Sequence, residues 1–300
     1  MSSALPRHVV WQSEGLVAYL HPRPWTPGVV VLEGGAPGGL GVGVFQLEEP
    51  VFLSWLLGAR AVAGLLCERL GVHRCALVSR PHRDRPAQIL VLPLHGLDAG
   101  WAPPPVGRRG TQATNDPGYC TSKNAPRWSD ASLTRTQTKI RLSPGPTSPC
   151  LGVDLAHQVF FSRIVRGEEP HWRVWEDEGH VAFLTPFPNA TGFTVLVPRR
   201  PLTSDIFRLD QEDYAGLVLA SRTAARVLQE ALGAWGVGLI FEGFEIDYAH
   251  AKLIPLPQDG AGEAPPPRFH HTYPGYVTSA DGPEADPDSL EKLHFQITRP

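Results

Sequence analysis

An internal repeat limits what this chain can fold into more than any other feature of its sequence. Residues 14–33 align with residues 178–197 without a gap, and ten of the twenty aligned positions carry the same residue. Matches of this kind are the sequence signature of a duplicated folding unit. The repeat therefore predicts two copies of one unit in the chain.

Each copy continues with a pattern typical of an amphipathic helix. Apolar and small residues recur at steps of three and four over residues 56–70 and again over residues 218–232. This spacing places one buried stripe along a helix. Pro50 suits a first helical turn, and Asp210 is a candidate N-cap. Each pattern ends at a glycine of the kind that stops helices, namely Gly71 and Gly233.

The order of elements predicts the fold class. Each unit reads as strand, turn, strand, helix, strand, strand, with the last strands at residues 87–93 and 249–255. Short turns between neighbouring strands favour a mainly antiparallel sheet. One long helix on one face of each sheet gives an α+β class. We expect an N-terminal unit over residues 1–97 and a C-terminal unit over residues 158–257.

Two segments lie outside these units. Residues 98–157 form an expected linker, because residues 98–153 are rich in Pro, Gly and Ser and show no periodicity. Deleting such a linker would leave the melting temperature nearly unchanged. Residues 258–300 form an expected tail that ends in a short helix over residues 286–299. The candidate caps of that helix are Asp286, Asp288 and Ser289.

Composition excludes several classes of partner. The net charge of −3 offers no basic field for nucleic acid. No apolar run approaches the length of a membrane span, and the start lacks the pattern of a secretory signal. The four cysteines lack Cys-x-x-Cys spacing, so we expect reduced thiols and no zinc site. These features predict a cytoplasmic protein that needs no metal or other cofactor.

The strand over residues 249–255 is the candidate carrier of chemistry. Alternate residues of a strand share a face, so Tyr248, His250 and Lys252 are expected on one side. One interpretation is a solvated face. The other is a reactive one, since imidazole is partly neutral near pH 7 and can attack phosphorus. Lys252 and Tyr248 would then bind phosphate oxygens.

Residues 160–255 resemble the histidine triad (HIT) superfamily, whose signature is His-φ-His-φ-His-φ-φ. Besides the strand just described, the resemblance rests on residues 161–170, 181–184 and 192–199. The last segment is similar to the family's Gly-His-x-φ-φ-φ-Pro-Lys. The family's nucleophile is the middle His of the triad, which matches His250. Other positions of the family pattern carry different residues here: Tyr248, Lys252, Phe193, Thr185 and Glu245.

The resemblance implies a hydrolase or nucleotidyltransferase that works through a covalent nucleotidyl-histidine on nucleoside phosphates or dinucleoside polyphosphates. The candidate substrate-binding residues are Tyr248, Lys252, Glu245, Asn189, Thr185 and Arg199. The alternative is a catalytically degenerate nucleotide-binding or interaction protein.

In the first unit Gln88 stands where His250 stands in the second, so that unit is expected to be structural. Its neighbours His82 and Arg83 are interpreted as solvated loop residues. Tandem members of the superfamily also imply that the two units pair as an intramolecular pseudo-dimer in a monomeric protein.

Overall fold

A computed structural model describes residues 8–13, 15–34, 41–97, 110, 113, 115–141, 159–169, 171–244, 246–258 and 265–299. Within them the chain divides into two compact units. The first draws on residues 1–102, 265–274 and 279–300, and the second on residues 103–264 and 275–278. The unit boundaries therefore differ from the expected ones, because the C-terminal tail contributes to the first unit.

The first unit contains a five-stranded antiparallel sheet. Its strands are β1 (Val9–Ser13), β2 (Leu16–Leu20), β3 (Val30–Gly34), β4 (Cys75–Ser79) and β5 (Ile89–Pro93), in the order β1-β2-β3-β5-β4. Helix α1 (Glu49–Leu70) lies on this sheet. It carries a proline in its first turn and ends at Gly71, whose φ of 65° is the left-handed conformation that glycine adopts without strain.

Helix α1 also bears on the membrane expectation. Among the described helices it alone is long and apolar enough to cross a membrane by length and composition. A core helix of a globular unit satisfies the same criterion. One side of α1 is buried along its whole length, from Phe52 to Leu66. The helix therefore serves as the core helix of the first unit, and the cytoplasmic location stays a prediction.

The second unit repeats this plan. Its strands are β6 (Trp172–Glu176), β7 (His180–Leu184), β8 (Thr194–Pro198), β9 (Gly236–Phe241) and β10 (Ala251–Leu256), in the order β6-β7-β8-β10-β9. Helix α4 (Gln211–Leu232) packs on the sheet. The Asp210 side chain accepts a hydrogen bond from the Asp213 amide at 2.8 Å, as an N-cap does. The helix ends at Gly233, which also has a φ of 65°.

The registers confirm the duplication in detail. Leu16 pairs with Gly34 in the first unit, and the aligned residue His180 pairs with Pro198 in the second. The first strand of each sheet shifts register just before a tryptophan, Trp11 in β1 and Trp175 in β6. The predicted α+β class with two copies of one unit is thus confirmed. The final strands begin two residues later than predicted, at Ile89 and Ala251.

The expectation of a linker without regular structure is wrong over Asp130–Arg141, which forms helix α2. The helix packs against β6 and α4 of the second unit. Only Leu133 and Ile140 of its residues are buried, and they lie seven positions apart on one face. A helix with so few apolar residues has the composition of a disordered segment, which explains the error. Its order also removes the basis for expecting that a deletion would be harmless.

Each unit is completed by a segment that we call an arm. The first arm, residues 115–141, ends in α2, and the second, residues 272–298, ends in α5 (Pro287–Thr298). Their sequences align without a gap and share PGY-x-TS at residues 117–122 and 274–279. Helix α5 is capped by Asp286, which accepts from the Ser289 amide at 3.0 Å. This confirms the predicted terminal helix.

The arms dock at the same place on the two sheets, the turn after the second strand. In the second unit the Ala125 and Trp128 amides donate to the carbonyls of Phe187 and Pro186. In the first unit the aligned Gly282 and Ala285 amides donate to the carbonyls of Arg23 and Pro22. The arm that follows the first repeat thus belongs to the second unit, and most of the arm that follows the second repeat, including residues 279–298, belongs to the first.

Candidate active site

A pocket of about 250 Å³ opens in the second unit at the ends of β7 and β10. Its lining includes the polar residues His250, Lys252, Thr185 and Asn124. Half of the other lining residues are large aromatic ones: Phe160, Phe161, Trp172, Phe183, Phe187 and Phe193. The pocket therefore combines a largely apolar and aromatic lining with a few polar side chains, the usual composition of a small-molecule site.

Helix α3 (Phe160–Arg166) covers the face of the sheet that carries His250. Phe161, Ile164 and Val165 pack against β7 and β8 and against Tyr248 in one buried cluster. The helix ends at Gly167, which has a φ of 79°. Because α3 shields this face from water, the interpretation of a solvated face is wrong for His250 and Tyr248.

The His250 ring is held in a defined orientation and tautomer. The residue is 4% exposed, and its ring lies edge-on to Phe161 with centroids 5.3 Å apart. His250 Nδ1 lies 2.8 Å from the Tyr248 carbonyl oxygen. A carbonyl only accepts, so Nδ1 carries the proton and Nε2 carries the lone pair in the neutral ring. This is the tautomer in which Nε2 can act as a nucleophile.

Tyr248 does not line the pocket. It is fully buried in the cluster under α3, and its hydroxyl donates to the Pro198 carbonyl at 2.8 Å. Burial raises the pKa of Tyr248 to about 12. Its expected role as a phosphate ligand is therefore wrong. Strand alternation gives the side of the sheet on which a residue lies, and this side is covered by α3 at Tyr248.

Lys252 does line the pocket, but it is already paired. Its Nζ donates to Glu242 Oε2 at 2.8 Å, and both side chains are largely buried. Lys252 lies opposite Ile240 in the β9–β10 ladder, and Glu242 follows Ile240 by two residues, just past the end of β9 at Phe241. The wall beside His250 thus presents an ion pair rather than an isolated positive charge.

Arg199 and Asn189 have structural partners that the sequence did not reveal. Arg199 is buried, and its Nη2 donates to Glu176 Oε2 at 2.7 Å. The Asn189 carboxamide donates to the carbonyls of Thr121 and Lys123, each at 2.8 Å. Neither side chain contributes to the lining of the pocket, so the expected second polar wall is wrong for both residues. Asn189 instead fixes the first arm.

Of the remaining residues expected at the site, some line the pocket and one cannot be placed. Thr185 lines the pocket, and its Oγ1 accepts from the Phe187 amide at 3.2 Å. Phe193, which replaces the family's further His, lines it too. Glu245 lies outside the described residues. Sequence reasoning missed His171 and Asn124, which also line the pocket. The repeated arm motif was the signal that could have drawn attention to Asn124.

The matching position in the first unit holds no nucleophile. Gln88 Nε2 donates to Glu33 Oε2 at 3.1 Å, and the Tyr19 hydroxyl donates to the same oxygen. His82 is half-buried rather than solvated, and burial with nearby Arg80 lowers its pKa to about 4. These contacts agree with a structural role for the unit. Within the described ranges, no three His, Cys, Asp or Glu side chains cluster to hold a metal ion.

Comparisons with known proteins agree with this architecture. An uncharacterized 13.1 kDa HIT-like protein of Mesomycoplasma hyorhinis is 28% identical over 100 residues, which are 32% of this chain and 89% of that protein. An uncharacterized 16.1 kDa HIT-like protein of Mycoplasma pneumoniae is 28% identical over 107 residues, 34% of this chain and 74% of that protein. The chain is accordingly similar to HIT-like proteins over about a third of its length, and it carries two copies of one α+β unit.

No protein-family model matches the chain. A solved structure of a uridylyltransferase aligns with 96% of this chain and 86% of its own, with a TM-score of 0.47 and 10% identity.

Removal of the Tyr248 hydroxyl should affect stability and leave chemistry intact. A Tyr248→Phe variant leaves the Pro198 carbonyl without its donor, which costs about 1–3 kcal/mol. Because the folded pKa lies above the unfolded value of about 10, the hydroxyl's contribution is complete below that pH and is lost as the pH rises toward 12. Thermal melts across this pH range measure the effect. An unchanged melting temperature with a large loss of rate would contradict it.

Proposed function

We propose that the second unit binds a nucleoside phosphate and transfers its nucleotidyl group through His250. The observation that carries the proposal is the 2.8 Å contact between His250 Nδ1 and the Tyr248 carbonyl, since it assigns the proton to Nδ1 and the lone pair to Nε2, the nucleophilic nitrogen. The HIT-like relatives and the aromatic pocket add support. A nucleobase is a flat group that such a pocket can enclose.

The proposed reaction proceeds in two displacements. His250 Nε2 attacks the α-phosphorus and forms a P–N bond, while the P–O bond to the leaving group breaks and that group leaves with its electron pair. The Tyr248 carbonyl then accepts from the Nδ1–H of a ring that has become positive, which stabilises the intermediate. Water or a second acceptor attacks phosphorus, the P–N bond breaks and neutral His250 is restored. A dinucleoside polyphosphate would react by the same two displacements.

A specific observation favours the alternative, a protein that binds nucleotide without turnover. Lys252 pairs with Glu242, while Tyr248 and Arg199 are committed to carbonyl and carboxylate partners. Few groups therefore remain to stabilise the charge that develops on phosphorus.

One experiment separates the two proposals. The protein is incubated with nucleoside triphosphates, dinucleoside polyphosphates and nucleoside phosphoramidates, and both binding and nucleoside monophosphate release are measured. Release in the wild type supports transfer. Binding without release supports the alternative, and the absence of binding rejects both. The cytoplasmic location and the intramolecular pairing of the two units stay predictions.

The role of Lys252 can be tested apart from its ion pair. Lys252→Met alone removes the ion-pair partner of a buried carboxylate, which costs several kcal/mol, whereas the Lys252→Met/Glu242→Gln double variant removes both charges. If Lys252 stabilises the transition state, the double variant should fold normally and lose about tenfold or more in kcat. A double variant that regains the full wild-type rate would assign Lys252 to structure alone. The measurements are thermal melts and steady-state kinetics.

A further inference from the structure

The two arms place one aligned residue at the same point in each unit, and its surroundings differ. In the second arm this residue is Asp281, whose carboxylate lies 3.7 Å from both His21 Nε2 and Arg23 Nη1. In the first arm it is Asn124. The residues that align with His21 and Arg23 are Thr185 and Phe187, which offer no charge. The second unit thus lacks the charged contacts that Asp281 makes in the first unit.

The backbone holds Asn124 in place at the pocket. Its carbonyl accepts from the Gly110 amide at 2.8 Å, and the next amide, that of Ala125, donates to the Phe187 carbonyl at 3.1 Å. The side chain is exposed and lines the pocket together with Thr185. No described residue hydrogen-bonds its carboxamide. A fixed backbone therefore presents an uncommitted polar group to the pocket.

The chemistry of this wall defines what it can bind. A carboxamide offers two N–H donors and one acceptor oxygen without charge. Thr185 Oγ1 accepts from the Phe187 amide, so its own hydrogen can still be donated. The wall is neutral and carries both donors and acceptors. It matches a neutral ligand group that has both donors and acceptors, whereas His250 and Lys252, which also line the pocket, suit the phosphorus centre.

We propose that Asn124, supplied by the arm that follows the first repeat, is the residue by which the second unit selects its ligand. Its carboxamide hydrogen-bonds a neutral donor–acceptor group, either a sugar hydroxyl or the amide edge of a base. The assignment rests on the proposed nucleotide function. It also means that the pocket of the second unit is incomplete without residues that follow the first repeat.

The test is a set of dissociation constants from calorimetry for wild type, Asn124→Ala and the control Arg127→Ala. Arg127 lies on the same arm, is exposed and pairs with Asp130 rather than lining the pocket. The probes are the four ribonucleoside 5′-monophosphates and their 2′-deoxy forms. Asn124→Ala should weaken binding of at least one ribonucleotide about tenfold, the effect of one or two lost hydrogen bonds, and Arg127→Ala should not. Equal melting temperatures confirm that both variants are folded.

The probes distinguish the two sources of the bound group. A loss confined to ribonucleotides assigns a sugar hydroxyl, and a loss confined to certain bases assigns a base edge. If Asn124→Ala binds every nucleotide as tightly as wild type, the assignment is overturned while nucleotide binding stands. If the wild type binds no nucleotide, the proposed function fails and Asn124 has no such ligand. Binding without turnover would reject only the transfer reaction.

Discussion

A His250→Ala variant should lose about a thousandfold or more of any nucleotidyl-transfer activity and keep its fold. No neighbouring group can replace a covalent nucleophile, and catalytic groups that act together fail together. Lys252 is paired with Glu242, and the Tyr248 hydroxyl is committed to the Pro198 carbonyl. The loss should therefore appear in kcat, measured by release of nucleoside monophosphate.

Two matched variants control this experiment. His250→Gln installs the side chain that the first unit carries at the aligned position, so it tests loss of the nucleophile with a polar group retained. It should be as inactive as His250→Ala. Gln88→Ala makes the aligned change in the first unit and should leave the rate unchanged, because an amide there has no nucleophilic role.

The intermediate itself can be trapped. A phosphoramidate is labile in acid and more stable in base, so a short incubation followed by an alkaline quench preserves it. Mass spectrometry should then find a nucleotide-sized adduct on the peptide that carries His250, and none in either His250 variant. Activity that survives in His250→Ala, or an adduct on another residue, would reject His250 as the nucleophile.

The two long helices, α1 and α4, could be predicted because their signals are local. The capping role of Asp210 and the glycine that ends each long helix depend on neighbouring residues only. Alignment of the two copies predicted one unit occurring twice, and the matching registers of the two sheets agree with it. Strand alternation also predicted that His250 and Lys252 lie on one side of their strand, and both line the pocket.

The errors arose where distant parts of the chain decide the outcome. Alternation placed Tyr248 beside His250, but only the position of α3 determines that its hydroxyl is covered. The Asn189 carboxamide was expected to bind substrate. In the fold it instead donates to two carbonyls of the first arm, each at 2.8 Å. Contacts of this kind join residues far apart in sequence, and a local pattern carries no information about them.

In the first arm, an Ile140→Ala variant should lower the unfolding free energy of the second unit by about 2–5 kcal/mol. Ile140 is fully buried although most of its helix is polar, and α2 packs on β6 and α4. The aligned residue of the second arm, Ile297, is buried in the first unit in the same way. A cavity at Ile140 removes contacts that the few other apolar residues of α2 cannot replace.

Thermal melting measures this effect, with a drop on the order of 5–15 °C expected for a unit of this size. Thr138→Ala, an exposed position on the same helix, is the control and should shift the midpoint by no more than a degree or two. Because the arm also carries Asn124 and binds Asn189, Ile140→Ala should weaken nucleotide binding near its melting midpoint, where the arm detaches. Equal midpoints for the two variants would show that α2 contributes nothing to the second unit, and residues 115–141 would then act as the linker that their composition suggests.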